Sequence, residues 1–279
     1  MTYATVMVSL ALNQPNNARL QVAGELAERY EAALVGVAAA KFAPPIYFTD
    51  GAAAQRLIDQ EEAAVKRCLA DLEAEFHAAT ATRTRGGRAE WRSATDFPAR
   101  FVLAQARCAD IVVSGGQSPA FSDAFSLVSP KDLVMQAGRP LLVVPDRITW
   151  LDLRDVLVAW KDTPEARRAV ADALPMLRKA RDVTIVEIPE DDDDRSAVVA
   201  RVGDVAAWLA RHGVTATARV SGAGGAETAA QRLEKVADDV AAGLIVAGAY
   251  GHSRFRELIL GGVTQYLVTQ TARCALLSH

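Results

Sequence analysis

The sequence predicts an α/β protein made of two tandem domains, each with a central parallel sheet. Short apolar runs alternate along the chain with longer segments of helical periodicity, which is typical of βαβ units. The chain also repeats itself, because segment 18–23 resembles 166–171 and segment 108–115 resembles 243–248. A repeat of this length indicates a duplicated domain rather than a solenoid unit.

The first half, which we assign to residues 1–148, contains five apolar runs that fit strands. They lie near Thr5–Leu10, Ala33–Ala38, Arg88–Arg92, Ile111–Ser114 and Pro140–Val144. The long segment from Ala52 to about Ala79 carries apolar residues at largely helical spacing. It is therefore predicted to be a helix that covers the core.

The second half, residues 149–279, repeats this order with clearer helix signals. Its predicted strands are Asp155–Trp160, Asp182–Ile188, Thr215–Val220, Leu244–Ala247 and Cys274–Leu277. The helices between them are Pro164–Ala180, Arg195–His212, Ala226–Ala241 and about Val263–Thr271. Thr163 before Pro164 supplies a polar N-cap and a proline at the first helical position. Gly213 after His212 is typical of a helix end.

Composition excludes several classes of protein. The chain has 279 residues with 31 basic and 34 acidic side chains, a net charge of −3, which favours neither a nucleic-acid binder nor a membrane-surface protein. No apolar run approaches the roughly 20 residues that span a bilayer, and the N-terminus lacks the basic start of a signal peptide. Cys68, Cys108 and Cys274 are too scattered for a disulfide framework or a metal cluster, and we expect the last two to be buried. We expect a soluble, cytoplasmic protein without a metal site.

One loop in the second half has the chemistry of a phosphate site. It begins at Gly248, directly after the predicted strand Leu244–Ala247, and it leads into a helix that starts near Val263. Glycine lets main-chain N–H groups approach an anion closely, and a helix N-terminus adds unpaired donors and a positive dipole end. A parallel α/β sheet binds its ligand at this place, outside the carboxyl ends of the strands.

The same loop resembles the nucleotide-binding signature of the universal stress protein family. The pattern is Gly248-x-x-Gly251, nine residues, Gly261, then Val263-Thr264, and the segment 156–165 resembles the first strand and turn of that family. The resemblance covers the whole chain and is strongest in the second half. It implies a doubly wound, Rossmann-like sheet of five parallel strands in each domain, with the domains forming an intramolecular pseudo-dimer. We expect the two closing strands to be the edge contacts of that pair.

The resemblance implies an adenine nucleotide site, for ATP and an accompanying Mg²⁺, in the second domain. The main chain at Gly248, Gly251 and Gly261 would form the phosphate cradle, and Val263 and Thr264 would reach the terminal phosphates. Adenine and ribose would lie between residues at the ends of three strands, namely Ala159, Trp160, Lys161, Ile188 and Ala247. The predicted site is completed by the loop residues His252, Arg254 and Gly262.

Two residues of the second domain depart from the family pattern. Lys161 stands where the family carries an acidic residue that helps to hold the nucleoside, and Asp162 comes one position late. Gly262 replaces a common serine or threonine. The first change removes a hydrogen-bond acceptor and the second removes a hydroxyl, so both would weaken the site or alter its choice of nucleotide.

The first domain departs further. When Gly115 is aligned with Gly248, the next three motif glycine positions are occupied by Ser118, Val128 and Ser129. A valine adds a β-branched side chain where the loop must approach a phosphate, so we expect no nucleotide there. The first domain would act as the packing partner of the second.

Three functions are compatible with the sequence. The first is a stress-linked regulator or sensor that binds ATP or another adenine nucleotide in its second domain. The second is a scaffold of the same fold that binds no nucleotide and acts through protein partners. The third is a slow ATPase, although no catalytic residue is evident. Partner proteins are unknown, and a homodimer is an open alternative.

Overall fold

A computed structural model describes residues 2–42, 51–81, 83, 88–117, 123–190, 194–222, 227–249 and 262–279. Its strands are β1 Thr5–Ser9, β2 Ala33–Ala39, β3 Ala89–Ala94, β4 Ile111–Gly115, β5 Leu141–Val144, β6 Asp155–Trp160, β7 Asp182–Glu187, β8 Ala216–Val220, β9 Leu244–Gly248 and β10 Cys274–Ser278. Its α-helices are α1 Asn17–Tyr30, α2 Gly51–Thr80, α3 Pro98–Gln105, α4 Pro130–Gln136, α5 Pro164–Leu177, α6 Arg195–Arg211, α7 Ala229–Asp239 and α8 Gly262–Thr269.

The predicted strands and helices are confirmed, with ends that differ by a few residues. At the start of α5, the Thr163 hydroxyl accepts a hydrogen bond from the Ala166 N–H at 3.3 Å, as a polar N-cap should. Helix α7 begins later than predicted because its N-cap is Thr228, which forms a capping box with Gln231.

The strands form a single ten-stranded sheet in the order β3-β2-β1-β4-β5-β10-β9-β6-β7-β8. The pairs within each half are parallel, whereas β5 and β10 pair antiparallel, with Leu142 opposite Leu276. We call the β5–β10 pair the seam. The contact expected between the two closing strands is therefore confirmed, and the pseudo-dimer is joined through one continuous sheet.

Helices cover both faces of this sheet, as a doubly wound fold requires. One apolar layer is built with α1, α2, α5 and α6, and the other with α3, α4, α7 and α8. Along β6, Val156 and Val158 belong to the first layer while Leu157 belongs to the second. This alternation explains why β6 reads as a continuous apolar run, since both of its faces are buried.

Two tyrosine side chains of the first half also hold the two halves together. Tyr3 lies just before β1, and Tyr30 is the last residue of α1. The Tyr3 hydroxyl donates to the main-chain oxygen of Asp172 at 2.7 Å, and the Tyr30 hydroxyl donates to that of Pro175 at 2.9 Å. Both acceptors lie on α5. The two halves are thus held by polar contacts on the helix layer as well as by the seam.

A buried carboxylate fixes the segment that links the halves. Glu25 of α1 accepts a hydrogen bond from the Leu151 N–H at 2.9 Å. Burial raises the pKa of Glu25, and the opposing effects of the Leu151 hydrogen bond and of Arg29 are smaller. The folded protein therefore holds this proton more tightly than the unfolded chain does.

The raised pKa of Glu25 makes the free energy of unfolding depend on pH, and the direction of the shift determines the sign of that dependence. The stability that Glu25 contributes should fall as pH rises from the ordinary glutamate pKa through the raised one, because the folded state binds more protons than the unfolded state there. We expect the unfolding free energy of the wild type, minus that of Glu25→Gln, to decrease across this window in urea titrations. A difference that stays flat for Glu25→Gln would contradict the prediction.

The cysteines only partly match expectation. Cys274 is buried, and burial raises its pKa to about 12. Cys108 is exposed, contrary to the prediction, because it ends a short 3-10 turn before β4 rather than joining the strand. Among the described helices, none combines the length and the apolar character that crossing a membrane requires.

Candidate functional site

The topology of the second half creates a crevice at the carboxyl ends of β6 and β9. These strands are parallel neighbours, with Ala159 opposite Ala247, and they end at Trp160 and Gly248. Their following helices, α5 and α8, belong to opposite layers. Neighbouring strands whose connections leave in opposite directions form the usual ligand crevice of such sheets. The structure thus brings four of the predicted site residues together.

Gly248 lies where the main chain of α5 approaches β9. A Cβ atom on Gly248 would lie 2.7 Å from the carbonyl carbon of Glu165 and 2.8 Å from the Cα of Ala166. No real Cβ tolerates main-chain atoms at such distances. Glycine is therefore needed here for packing, in addition to any role toward a ligand.

Helix α8 follows β9 on the face of the sheet opposite to α5. The helix begins at Gly262, whose added Cβ would meet no atom of the described residues within 4 Å, and its first turn carries no acidic residue. Val263 packs against the second apolar layer, and Thr264 is buried. A helix therefore begins close to the residue at which the sequence predicted one, while its role toward a phosphate stays a prediction.

Charged residues next to β6 are engaged with one another. Lys161 forms an ion pair with the carboxylate of Glu190, and Asp162 pairs with Arg167 at 2.6 Å. Ile188 lies just past the end of β7, one residue beyond the observed strand, and packs on the second layer.

Four predicted site residues lie outside the described part of the chain. They are Gly251, His252, Arg254 and Gly261. Their roles stay predictions.

Sequence reasoning missed Glu165 as a candidate site residue. It lies in the first turn of α5, beside Gly248, and its Oε2 atom is buried with no hydrogen-bond partner among the residues that the structure describes. The indole N–H of Trp160 is likewise buried and unpartnered. An acidic residue in a first helical turn is common because of the helix dipole, so the sequence alone gave no reason to single out Glu165.

The corresponding crevice of the first half is filled by a side chain. A Cβ on Gly115 would lie 2.6 Å from the guanidinium carbon of Arg19, and Arg19 donates to the main-chain oxygen of Ser9 at 3.3 Å. Burial lowers the pKa of Arg19 to about 10. Val128 is buried, and Ser129 caps α4. Ser118 lies outside the described residues.

The loop after β4 also contacts the far end of α8. The Gln117 N–H donates to the main-chain oxygen of Val268 at 2.7 Å. Helix α8 therefore extends from the predicted phosphate site of the second half to the segment after β4 in the first half. That segment corresponds in the first half to the predicted phosphate loop after β9.

Comparison with known proteins identifies the fold. No family model matches the sequence, and no curated protein is similar to it. Among solved structures, a universal stress protein from Archaeoglobus fulgidus superimposes with a TM-score of 0.70 and 14% identity, over 98% of this chain and 95% of that chain. A proposed universal stress protein from Pseudomonas aeruginosa has a TM-score of 0.57 and 16% identity, over 99% and 93%. A protein of unknown function from the same species gives 0.57 and 14%, over 99% and 92%. The chain therefore has, over nearly its whole length, the fold of a two-domain universal stress protein.

Proposed function

We propose that this chain is a tandem universal stress protein that binds an adenine nucleotide, ATP in the first instance, and acts as a stress-linked regulator or sensor. Its domains would be residues 1–148 and 149–279, and the nucleotide would lie in the second. Mg²⁺ would accompany it, carried by the phosphates. The observation that carries the proposal is the switch point between β6 and β9, neighbouring parallel strands whose following helices, α5 and α8, lie on opposite faces of the sheet.

The chemistry of the crevice suits a nucleotide. The start of α8 offers main-chain N–H donors, the Thr264 hydroxyl and no acidic side chain, an arrangement that favours phosphate. The apolar residues Ala159, Ala247 and Ile188 share the layer that packs on this helix and would contact the base. Apolar walls with a few polar groups are typical of small-molecule sites.

The first half is proposed to bind no nucleotide. Arg19 occupies the equivalent crevice against Gly115, and buried Val128 stands at a motif glycine position. These observations support a role for the first half as packing partner.

A scaffold without nucleotide is the second candidate function. The observation that favours it is that Lys161 stands where the family carries an acidic residue, and that the nearby carboxylates of Glu190 and Asp162 already pair with Lys161 and Arg167. Partner proteins would then recognise the surface of the protein itself and not a nucleotide-bound form of it.

Analysis of released nucleotide separates these candidates. We expect the purified protein, once denatured, to release near-stoichiometric ATP or ADP, identified by chromatography and mass. Gly251→Val should abolish this nucleotide without unfolding the protein, because a β-branched side chain would enter the proposed phosphate cradle.

The matched control is Gly222→Val. Gly222 is a glycine of the second half whose added Cβ would meet none of the described atoms within 4 Å, so this variant should retain nucleotide. The scaffold function would be favoured if no nucleotide is released and millimolar Mg-ATP causes no thermal shift. Retained binding in Gly251→Val would place the site elsewhere.

A further inference from the structure

Helix α8 of the second half is held at its C-terminal end by the first half. The Gln117 N–H, two residues after β4, donates to the main-chain oxygen of Val268 at 2.7 Å. Val268 lies in the last turn of α8, where helix carbonyls have no partner within the helix itself. The first half therefore supplies a hydrogen bond that caps a helix of the other half.

The contact between this segment and α8 is close and is made by main-chain groups. A Cβ atom on Gly116 would lie 3.3 Å from the same Val268 oxygen, which is shorter than an optimal van der Waals separation. The Oε1 atom of Gln117 is buried, and no described residue donates a hydrogen bond to it. The main-chain N–H of Gln117 is therefore the group to test.

The buried face of α8 packs in a layer that both halves build. Leu267 and Val268 are fully buried in the second apolar layer, which also contains Val143 of β5 and Ala275 of β10, a pair across the seam. A helix of eight residues is too short to be stable alone. Its position therefore depends on this packing and on the contacts at its two ends.

We propose that the first half regulates the affinity of the second half for its nucleotide through the Gln117–Val268 hydrogen bond. This inference rests on the proposed function, in which the phosphates bind at the N-terminus of α8. Val268 comes six residues after Gly262, about 9 Å along the axis at 1.5 Å per residue. Because the helix is a rigid unit over this length, a contact at its last turn positions the N–H groups of its first turn. Gln117 is thus a positioning residue that acts without touching the nucleotide.

Such a coupling acts in both directions. If the hydrogen bond at the C-terminal end of α8 favours binding at the N-terminal end, then binding must stabilise that hydrogen bond by the same factor. Couplings between sites in proteins typically begin at about fivefold. Nucleotide in the second half is therefore expected to protect an amide of the first half, which a contact with a purely structural role would not show.

Amide hydrogen exchange of the full chain, measured by NMR with and without saturating Mg-ATP, tests this coupling. We expect the Gln117 amide to exchange about fivefold more slowly when nucleotide is bound. The control is the Ala81 amide, which donates to His77 at the end of α2 on the other face of the sheet and should exchange at the same rate. Unchanged exchange at Gln117 in a protein that binds ATP would overturn the inference and leave the proposed function standing.

Two variants of Gln117 separate the role of its main chain from that of its side chain. Gln117→Pro removes the N–H and should weaken Mg-ATP binding about fivefold in calorimetry, whereas Gln117→Ala keeps the N–H and should bind as the wild type does. Equal affinities of the two folded variants would contradict the coupling. If Gln117→Pro does not fold, the exchange measurement on the wild type decides. If the wild type binds no ATP, the proposed function is wrong and the inference falls with it.

Discussion

Gly248→Ala is expected to lower the free energy of unfolding by about 3 kcal/mol, at the upper end of overpacking effects, and to abolish nucleotide binding. The added methyl group would lie within 3 Å of main-chain atoms of Glu165 and Ala166. Main chain cannot rotate away as a side chain can, so α5 must move off β9. Urea denaturation followed by circular dichroism measures the loss.

Gly262→Ala is the matched control for this change. It places the same methyl group at the first residue of α8, where no atom of the described part of the chain lies within 4 Å, so we expect a change in stability within about 0.5 kcal/mol. Equal stabilities for the two variants would contradict the close packing of α5 on β9.

Leu276→Ala is expected to destabilise the protein by about 3 kcal/mol, which is in the middle of the range for buried leucines. Leu276 is fully buried and lies opposite Leu142 across the seam. The change leaves a cavity between the halves that rigid strands on both sides cannot close. Calorimetry should also show one unfolding transition for the wild type, because a continuous sheet couples the halves.

Two further variants make this prediction specific to the seam. Val199→Ala, at a position on α6 with 53% exposure, should cost less than about 0.5 kcal/mol. Leu142→Ala combined with Leu276→Ala should show a non-additive loss, since residues in contact couple in double-mutant cycles. Additive losses would indicate that the two leucines do not share one packing site.

The sequence predicted the fold well because local and tertiary signals agree. The N-cap at Thr163 and the proline after it determine the start of α5, and apolar runs buried on both faces mark the strands. Cys108 was misplaced because an apolar run does not reveal the 3-10 turn that precedes it. Helix and strand identity followed from patterns within single segments.

The site was less predictable because its chemistry depends on which side chains find partners. The pair of Lys161 with Glu190 joins two separate loops, and the missing partner of Glu165 is a tertiary fact. Arg19 would be expected at the surface from its charge, yet it fills a crevice beside Gly115. The spacing of residues along the chain does not reveal the Lys161–Glu190 pair, the state of Glu165 or the position of Arg19.

The seam limits how two copies of this chain can meet. Because β5 and β10 pair with each other, neither presents unpaired main-chain groups to a neighbouring molecule. The sheet order leaves β3 and β8 as its outer strands, and both carry charged residues, Glu90 and Arg92 on β3 and Arg219 on β8, which disfavour edge-to-edge pairing. The strand pairing that joins the two halves within one chain is therefore disfavoured between two copies, so we expect a homodimer of this protein to use a surface other than the sheet edges.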